Sequence, residues 1–191
     1  MSEWKKRLKD GLEPILAMAD PREKLSAYHD MPYAIFWYPP EEEFPLRNEI
    51  TLLKTRLEQI GKRVTVISLA ECLHNALDSE ISKSEFIENE RIMGLEAAIE
   101  TAHEVISVNQ PLPDLVAERI PSDATASKDI VFIVRAGALF PIYRTSSLLE
   151  KLQGKVFVPA ILFYPGVIDG AAGLKFMGIL DAEHNYRPKI F

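Results

Sequence analysis

The sequence contains a single cysteine, Cys72, so it can form no intrachain disulfide. Such low cysteine use is typical of a protein in a reducing compartment. The longest apolar run, Val156 to Tyr164, has the length of a β-strand and is far shorter than the roughly 20 residues of a transmembrane helix. No apolar signal-peptide segment follows the basic residues near the N-terminus. These absences predict a cytoplasmic protein that does not interact with membranes.

The sequence also lacks the motifs by which α/β proteins of this size often bind nucleotides or hydrolyse esters. It has no GxxxxGK[ST] phosphate loop, no GxGxxG dinucleotide fingerprint and no GxSxG nucleophile elbow. Cys72 with His74, and Glu100 with His103, are isolated pairs, whereas a zinc or di-iron site needs further ligands. We therefore expect no metal, no cofactor and no enzymatic activity, and we interpret Cys72 as a small buried apolar residue.

Charge is distributed unevenly along the chain, which carries a net charge of −6. Residues 128–191 contain eight basic and five acidic side chains, whereas residues 1–127 contain 14 basic and 23 acidic ones. An acidic chain is not typical of a nucleic-acid-binding protein. The weakly basic last third leaves a local nucleic-acid-binding patch as a minor hypothesis.

The pattern of apolar residues predicts strands that alternate with helices. Hydrophobic residues make up 47% of the chain, as in ordinary globular proteins. Apolar runs between turn residues predict strands at 33–38, 64–67, 130–134, 156–164 and 189–191. Helical spacing predicts helices at 2–18, from 20, at 44–60, from 68 and at 84–108, 111–120 and 138–152. We predict an α/β fold with three layers, a mostly parallel sheet with helices on both faces and a Rossmann-like or P-loop-like core without a phosphate loop. The chain should be one domain, 1–191, with an N-terminal helical extension at about 1–30.

Two local patterns make sharper predictions. Pro165-Gly166 after the fourth strand is typical of a tight turn, where glycine can adopt a positive φ without strain, and Asp169 should lie exposed beyond it. The helix at 84–108 has an apolar stripe and an acidic face, which is either a solvated surface or a binding site. The stripe consists of Ile92, Leu95, Ile99, Ala102 and Ile106, and the acidic face of Glu85, Glu88, Glu90, Glu96, Glu100 and Glu104.

The best candidate ligand site follows the third predicted strand. Arg135 and Gly137 lie between that strand and the start of a predicted helix, where backbone N–H groups can bind an anion. Together with Arg144, Asp169 and Arg187 they are expected to converge at one edge of the sheet. The alternative is that these arginines form ion pairs that only hold loops in place.

The first predicted helix offers a different kind of candidate. Trp4 lies on its apolar side and is a candidate docking residue for another protein, if the indole is exposed. The alternative is that this helix packs on its own domain.

Three segments give the chain a resemblance to a known family, the B component of the BREX (bacteriophage exclusion) systems, BrxB, whose biochemical activity is unknown. They are Val134 to Ser146 (VRAGALFPIYRTS), Phe163 to Gly170 (FYPGVIDG) and Asn185 to Arg187 (NYR), and FYPGVIDG is the most specific. The segment 32–40 and the helix at 43–61 are also similar. The chain departs from the family pattern at Arg135, where a glycine is usual, and at Ser146, where a histidine is usual.

The resemblance implies a phage-resistance complex that also contains a PglZ-type alkaline-phosphatase-like protein, a DNA methyltransferase and a large ATPase. We expect a non-catalytic adaptor that docks the PglZ-type protein. Two alternatives stay open. One is a nucleotide- or anion-binding enzyme or sensor at the carboxyl edge of the sheet, and the other is an accessory nucleic-acid binder.

The missing phosphate loop leads to a first prediction. We expect phosphate release from ATP or GTP to equal that of a buffer blank, because neither the loop lysine nor its glycine frame is present. A colorimetric phosphate assay on the purified protein measures this. Turnover above the blank that disappears in Arg135→Ala would contradict the prediction and favour a nucleotide-processing site.

Overall fold

The computed structural model describes residues 2–26, 31–170, 173–184 and 186–191. These residues form a sheet whose main strands run parallel in the spatial order β2-β3-β4-β1-β6. Strand β5 pairs antiparallel with the distal half of β4. The strands are β1 (Tyr33–Tyr38), β2 (Arg63–Ser68), β3 (Asp129–Val134), β4 (Ala160–Asp169), β5 (Gly173–Phe176) and β6 (Lys189–Ile190). The predicted α/β class and mostly parallel sheet are confirmed.

Helices flank the sheet. The N-terminal helical segment consists of α1 (Glu3–Lys6), a π-helical stretch (Arg7–Leu12) and α2 (Glu13–Leu16). The other helices are α3 (Arg22–Leu25), α4 (Glu43–Gln59), α5 (Leu69–Glu80), α6 (Lys83–Met93), α7 (Leu95–Glu104), α8 (Leu112–Ala117) and α9 (Thr145–Leu152). In the part of the chain that the structure describes, none of the helices has the length and apolar character needed to cross a bilayer.

Each face of the sheet packs against its own group of helices. One core contains Leu8 and Leu12 of the N-terminal segment together with Leu53 of α4. The other core contains Cys72 of α5, Val116 of α8 and residues of α9. Cys72 is fully buried, and its thiol is free, as predicted. The sheet is therefore covered on both sides, which explains why the inner strands β1, β3 and β4 are largely apolar runs.

Residues next to the helices explain where several of them begin or end. The Ser68 hydroxyl accepts a hydrogen bond from the backbone N–H of Glu71 at 3.3 Å and so caps α5. Gly61 has a φ of +89° just after α4, which is the left-handed conformation that glycine adopts without strain. The helix expected from residue 20 is only the single turn α3, and Asp20 accepts a hydrogen bond from the backbone N–H of Arg22.

The single long helix predicted at 84–108 is wrong. Gly94 has a φ of +91° and a ψ of 171°, and it separates α6 from α7. Of the predicted apolar stripe, Ala102 and Ile106 are buried, whereas Ile92 and Leu95 on either side of the break are exposed. Periodicity alone missed the break because one glycine inside a helical pattern is usually tolerated.

The helix predicted at 138–152 is also shorter than expected. Residues Ala136–Leu139 form a 3-10 turn, and α9 begins only at Thr145. Pro141 has no N–H to donate to the carbonyl of Gly137, as an α-helix would require. That carbonyl instead accepts a bond from the N–H of Phe140 at 3.1 Å.

The tight turn predicted at Pro165-Gly166 is wrong as well. Strand β4 begins at Ala160 and continues through both residues to Asp169, and Gly166 has no positive φ. Pro165 is the last residue that pairs with β1, and Gly166 is the first that pairs with β5. The proline and glycine therefore mark the point at which β4 changes partners, from a parallel neighbour to an antiparallel one.

Close approach of the backbone explains why a glycine stands at residue 166. A Cβ atom there would lie 2.4 Å from the carbonyl oxygen of Lys175 and 2.4 Å from Cε1 of Tyr164. No real side chain fits at such distances, so the strand pairing of β4 with β5 requires a residue without a Cβ.

We predict that Gly166→Ala lowers the free energy of unfolding by about 1–3 kcal/mol, because the methyl group forces β5 or the Tyr164 ring to move. Urea denaturation followed by circular dichroism measures the change. Gly11→Ala is the matched control, since its Cβ would meet nothing within 4 Å and the substitution favours a helix. Equal stability of wild type and Gly166→Ala would contradict the close-approach explanation.

Candidate functional site

The N-terminus of α9 is the centre of the polar region that comes closest to a site. Arg144 is the N-cap residue, and Thr145 begins the helix. The chain returns to this point after β5, where the backbone of Glu183 exchanges hydrogen bonds with that of Leu174 at 3.0 and 3.1 Å. This pairing places the Glu183 side chain at the first turn of α9.

The Glu183 carboxylate accepts several hydrogen bonds. Nη1 of Arg144 donates to Oε1 at 2.7 Å, and the Tyr186 hydroxyl donates to Oε2 at 2.9 Å. Burial raises the pKa of Glu183, but hydrogen bonds from Ser146, Arg144 and Tyr186 outweigh it, so the pKa lies below its ordinary value. Glu183 is therefore charged at neutral pH and stabilised by its neighbours.

Glu183 occupies the position at which an external anion would bind. A helix N-terminus carries a partial positive charge and favours a carboxylate in its first turn. Here that carboxylate comes from the chain itself, and Arg144 and Ser146 are already engaged with it. The arrangement can fix the return segment to α9, which is the structural alternative that the sequence left open for the arginines.

Two tyrosines complete the cluster. The hydroxyls of Tyr186 and Thr145 are 3.3 Å apart, and the rings of Tyr186 and Tyr164 meet edge to face with centroids 6.0 Å apart. Burial is the largest cause that raises the pKa of Tyr186 to about 12 and that of Tyr164 further still. Both phenols are therefore protonated at neutral pH, and neither is suited to act as a base there.

Gly137 and Arg135 lie at the carboxyl end of β3, near this cluster. Gly137 approaches the hairpin of β4 and β5, because a Cβ there would contact Sδ of Met177 at 3.4 Å and Cγ of Pro165 at 3.5 Å. Arg135 has a left-handed backbone, with a φ of +59°. No α-helix begins at Gly137, so the anion site expected at its backbone lacks the helix that would create it.

Of the candidate residues, Arg187 does not lie at the expected edge of the sheet. Asp169 lies in the distal half of β4, where its carboxylate is 3.4 Å from Nζ of Lys175. Arg187 precedes β6, whose Lys189 pairs with Ala34 at the amino end of β1. Arg135 follows the carboxyl end of β3, so Arg187 is near the opposite edge of the parallel sheet. A six-residue strand, about 20 Å long, separates the two edges.

Arg187 instead lines a cleft of about 330 Å³ between α9 and the segment 186–188. Its walls include Tyr33, Leu149, Glu150 and Tyr186. The Tyr33 hydroxyl donates to the carbonyl of Leu149 at 2.6 Å. Across the described ranges, no three His, Cys, Asp or Glu side chains lie close enough together to hold a metal ion.

Trp4 is not available for docking. Its side chain is only 2% exposed and belongs to the same core as Leu8, Leu12 and α4. The expectation of an exposed docking indole is therefore wrong. Trp4, Leu8 and Leu12 share one face of a helix because they are spaced four residues apart, and this face packs on the sheet.

Sequence reasoning missed Glu183, which no motif distinguishes from other surface glutamates. It did single out Tyr186, within the segment Asn185 to Arg187, although Asn185 itself lies outside the described residues. The only feature of the sequence that could have pointed to Glu183 is its position just before the segment Asn185 to Arg187.

Comparison with known proteins gives a consistent result. The family model described as BREX protein BrxB matches residues 65–190. The chain belongs to the BrxB family. It is also 27% identical over 180 residues to a BREX protein BrxB of Bacillus cereus (strain H3081.97), and the match covers 93% of this chain and 92% of that protein. No solved structure matches the chain at a significant level. Membership of the BrxB family supports a role in BREX phage defence.

The three segments that carry the BrxB resemblance come together in the fold. Gly137 of the first segment meets Pro165 of the second. Tyr186 of the third contacts Tyr164 of the second and Thr145 of the first. Segments that are far apart in the sequence thus form one packed unit around the N-terminus of α9.

We predict that Glu183→Gln lowers the free energy of unfolding at pH 7 by about 1–3 kcal/mol, since it removes a charge that three donors stabilise. The pKa of Glu183 is lower in the folded than in the unfolded state. The carboxylate therefore stabilises the fold fully above about pH 4.5 and loses this effect as the pH falls through the folded value.

Urea denaturation between pH 7 and pH 3 should show the difference between wild type and Glu183→Gln shrinking toward acid pH. Glu118→Gln, which changes an exposed carboxylate on another part of the surface, is the control and should leave stability within about 0.5 kcal/mol. A pH-independent difference for Glu183→Gln would contradict the stabilised-carboxylate interpretation.

Proposed function

We propose that the protein is a non-catalytic adaptor subunit of a BREX anti-phage complex and that it docks the PglZ-type alkaline-phosphatase-like component. One observation carries the proposal. Arg144, the candidate anion-binding side chain at the α9 N-terminus, is engaged by Glu183 at 2.7 Å. A residue already neutralised inside the chain gains little by binding an external phosphate.

The protonation states of the polar cluster support the same proposal. General acid–base catalysis works best when a group has a pKa near the operating pH. In the cluster the pKa of Glu183 is lowered, whereas those of Tyr164 and Tyr186 are raised, so these groups titrate away from neutrality. Groups whose pKa values lie away from neutrality keep one protonation state near pH 7, and this suits hydrogen bonds that hold three segments together.

The resemblance to BREX B components supplies the choice of partner. The PglZ-type protein is the component that a small folded adaptor is expected to contact, and the methyltransferase and the large ATPase are further possible partners. A cytoplasmic location is part of the proposal, in keeping with a single cysteine whose thiol is free.

We expect the purified protein to co-elute with the PglZ-type protein of the same BREX system in size-exclusion chromatography at physiological salt. The direct contact of two folded proteins should shift both into one earlier peak. The DNA methyltransferase, tested separately, serves as the comparison. If no BREX component shifts the elution of this protein, the adaptor proposal is wrong.

We further expect double- and single-stranded DNA to bind weakly at physiological ionic strength. The chain has a net charge of −6, and phosphate contacts by a few basic residues lose affinity steeply as salt rises. Fluorescence anisotropy at two salt concentrations measures this. Sub-micromolar binding at the higher salt, lost when Arg144, Lys175, Arg187 and Lys189 are changed to Ala, would favour the nucleic-acid-binding alternative.

A further inference from the structure

Helix α6 differs from the other long helices because none of its residues is buried. It has 11 residues and packs on α7, whose buried residues are Ala98 and Ala102. A helix of this length is marginally stable in water by itself, and helices in proteins depend mainly on the burial of an apolar face. Helix α6 therefore buries less apolar surface than a helix of its length normally needs in order to be stable.

Large apolar side chains are exposed where α6 meets α7. Ile92 is 72% exposed, Met93 69% and Leu95 64%, and they surround the break at Gly94. We call Ile92, Met93 and Leu95 the hairpin tip. Met93 also borders a shallow groove between the two helices, together with Phe86 and Ala97. Single exposed apolar residues are normal on a protein surface, whereas adjoining ones can together form an interaction surface.

The charge around the hairpin tip is mainly negative. The two helices carry six exposed glutamates, namely Glu85, Glu88, Glu90, Glu96, Glu100 and Glu104, against only Lys83 and Arg91 as full cations. Arg91 itself lies 3.5 Å from Glu88. The hairpin tip is thus an apolar centre on two helices whose exposed charge is mainly acidic, and we call these six glutamates the acidic rim.

This charge pattern decides between two kinds of occupant. A second copy of the chain in a two-fold contact would bring one acidic rim against the other, and like charges repel. A partner whose apolar groove has lysines and arginines at its edge would match both the shape and the charge. Met93 suits such a contact, because its flexible side chain adapts to an irregular groove.

We propose that the hairpin tip docks into an apolar, basic-rimmed groove on another protein of the defence complex. This inference rests on the proposed adaptor function and adds to it the surface and the chemistry of the partner. The acidic rim serves to accelerate encounter and exclude wrong partners, and the tip supplies the buried contact.

The test compares binding of the PglZ-type protein to wild type and to the triple variant Ile92→Ser, Met93→Ser, Leu95→Ser by biolayer interferometry. We expect at least tenfold weaker binding and an unchanged melting temperature, since the three residues are exposed. The double variant Phe157→Ser, Ile179→Ser is the matched control, because these side chains are 68% and 71% exposed elsewhere on the surface. It should bind like wild type.

A second variant tests the rim. The charge reversal Glu90→Lys with Glu96→Lys should slow association several-fold, and raising the salt should slow association of the wild type in the same direction. Glu118→Lys is the control for charge alone. Association that is insensitive to both the reversal and the salt would overturn the basic-rim part of the proposal.

The outcomes separate this inference from the proposed function. If wild type binds and the triple variant binds equally well, the hairpin tip is not the docking surface, although the adaptor function stands. If wild type binds neither the PglZ-type protein nor another BREX component, both proposals fail. If instead wild type dimerises in analytical ultracentrifugation and the triple variant does not, the occupant is a second copy, which overturns the partner assigned here.

Discussion

The pairing of β4 on both of its sides, with burial of both of its faces, is the constraint on which the rest of the structure depends. Its proximal half lies between β1 and β3, and successive side chains alternate between the two cores. Leu162 and Tyr164 enter one core, and Ile161 and Phe163 the other. Full burial of each such side chain contributes about 1.5–3 kcal/mol, so this strand joins the two helical layers.

The same strand positions the polar cluster. Because β4 continues past Pro165, it extends beyond its parallel neighbours, and β5 folds back on the extension. The chain after β5 then returns along α9, and the pairing of Glu183 with Leu174 sets the carboxylate at the helix N-terminus. Glycine at residue 166 is necessary for this route, because any Cβ would collide with the backbone of β5.

The hairpin of α6 and α7 has the opposite character. The cluster at α9 is built from mutual hydrogen bonds and aromatic contacts, whereas α6 contributes no buried residue and exposes apolar side chains at its end. In the BrxB family member described here, the cluster thus pairs the Glu183 carboxylate with donors of the same chain, and the outer hairpin leaves its apolar side chains uncovered. This contrast is the physical basis for assigning stability to the first region and recognition to the second.

The sequence by itself determined the α/β class, most strands, the start of α5, the buried state of Cys72 and the BrxB resemblance. Each of these depends on residues close together in the chain or on a recognisable run of them. Tertiary structure decided that Trp4 is buried, that β4 passes through Pro165-Gly166 and that Arg187 is remote from Arg135. It also decided that Glu183 meets Arg144, 39 residues away. Such contacts depend on which strands become neighbours in the sheet. The spacing of apolar residues along the chain predicts the strands but does not specify their order.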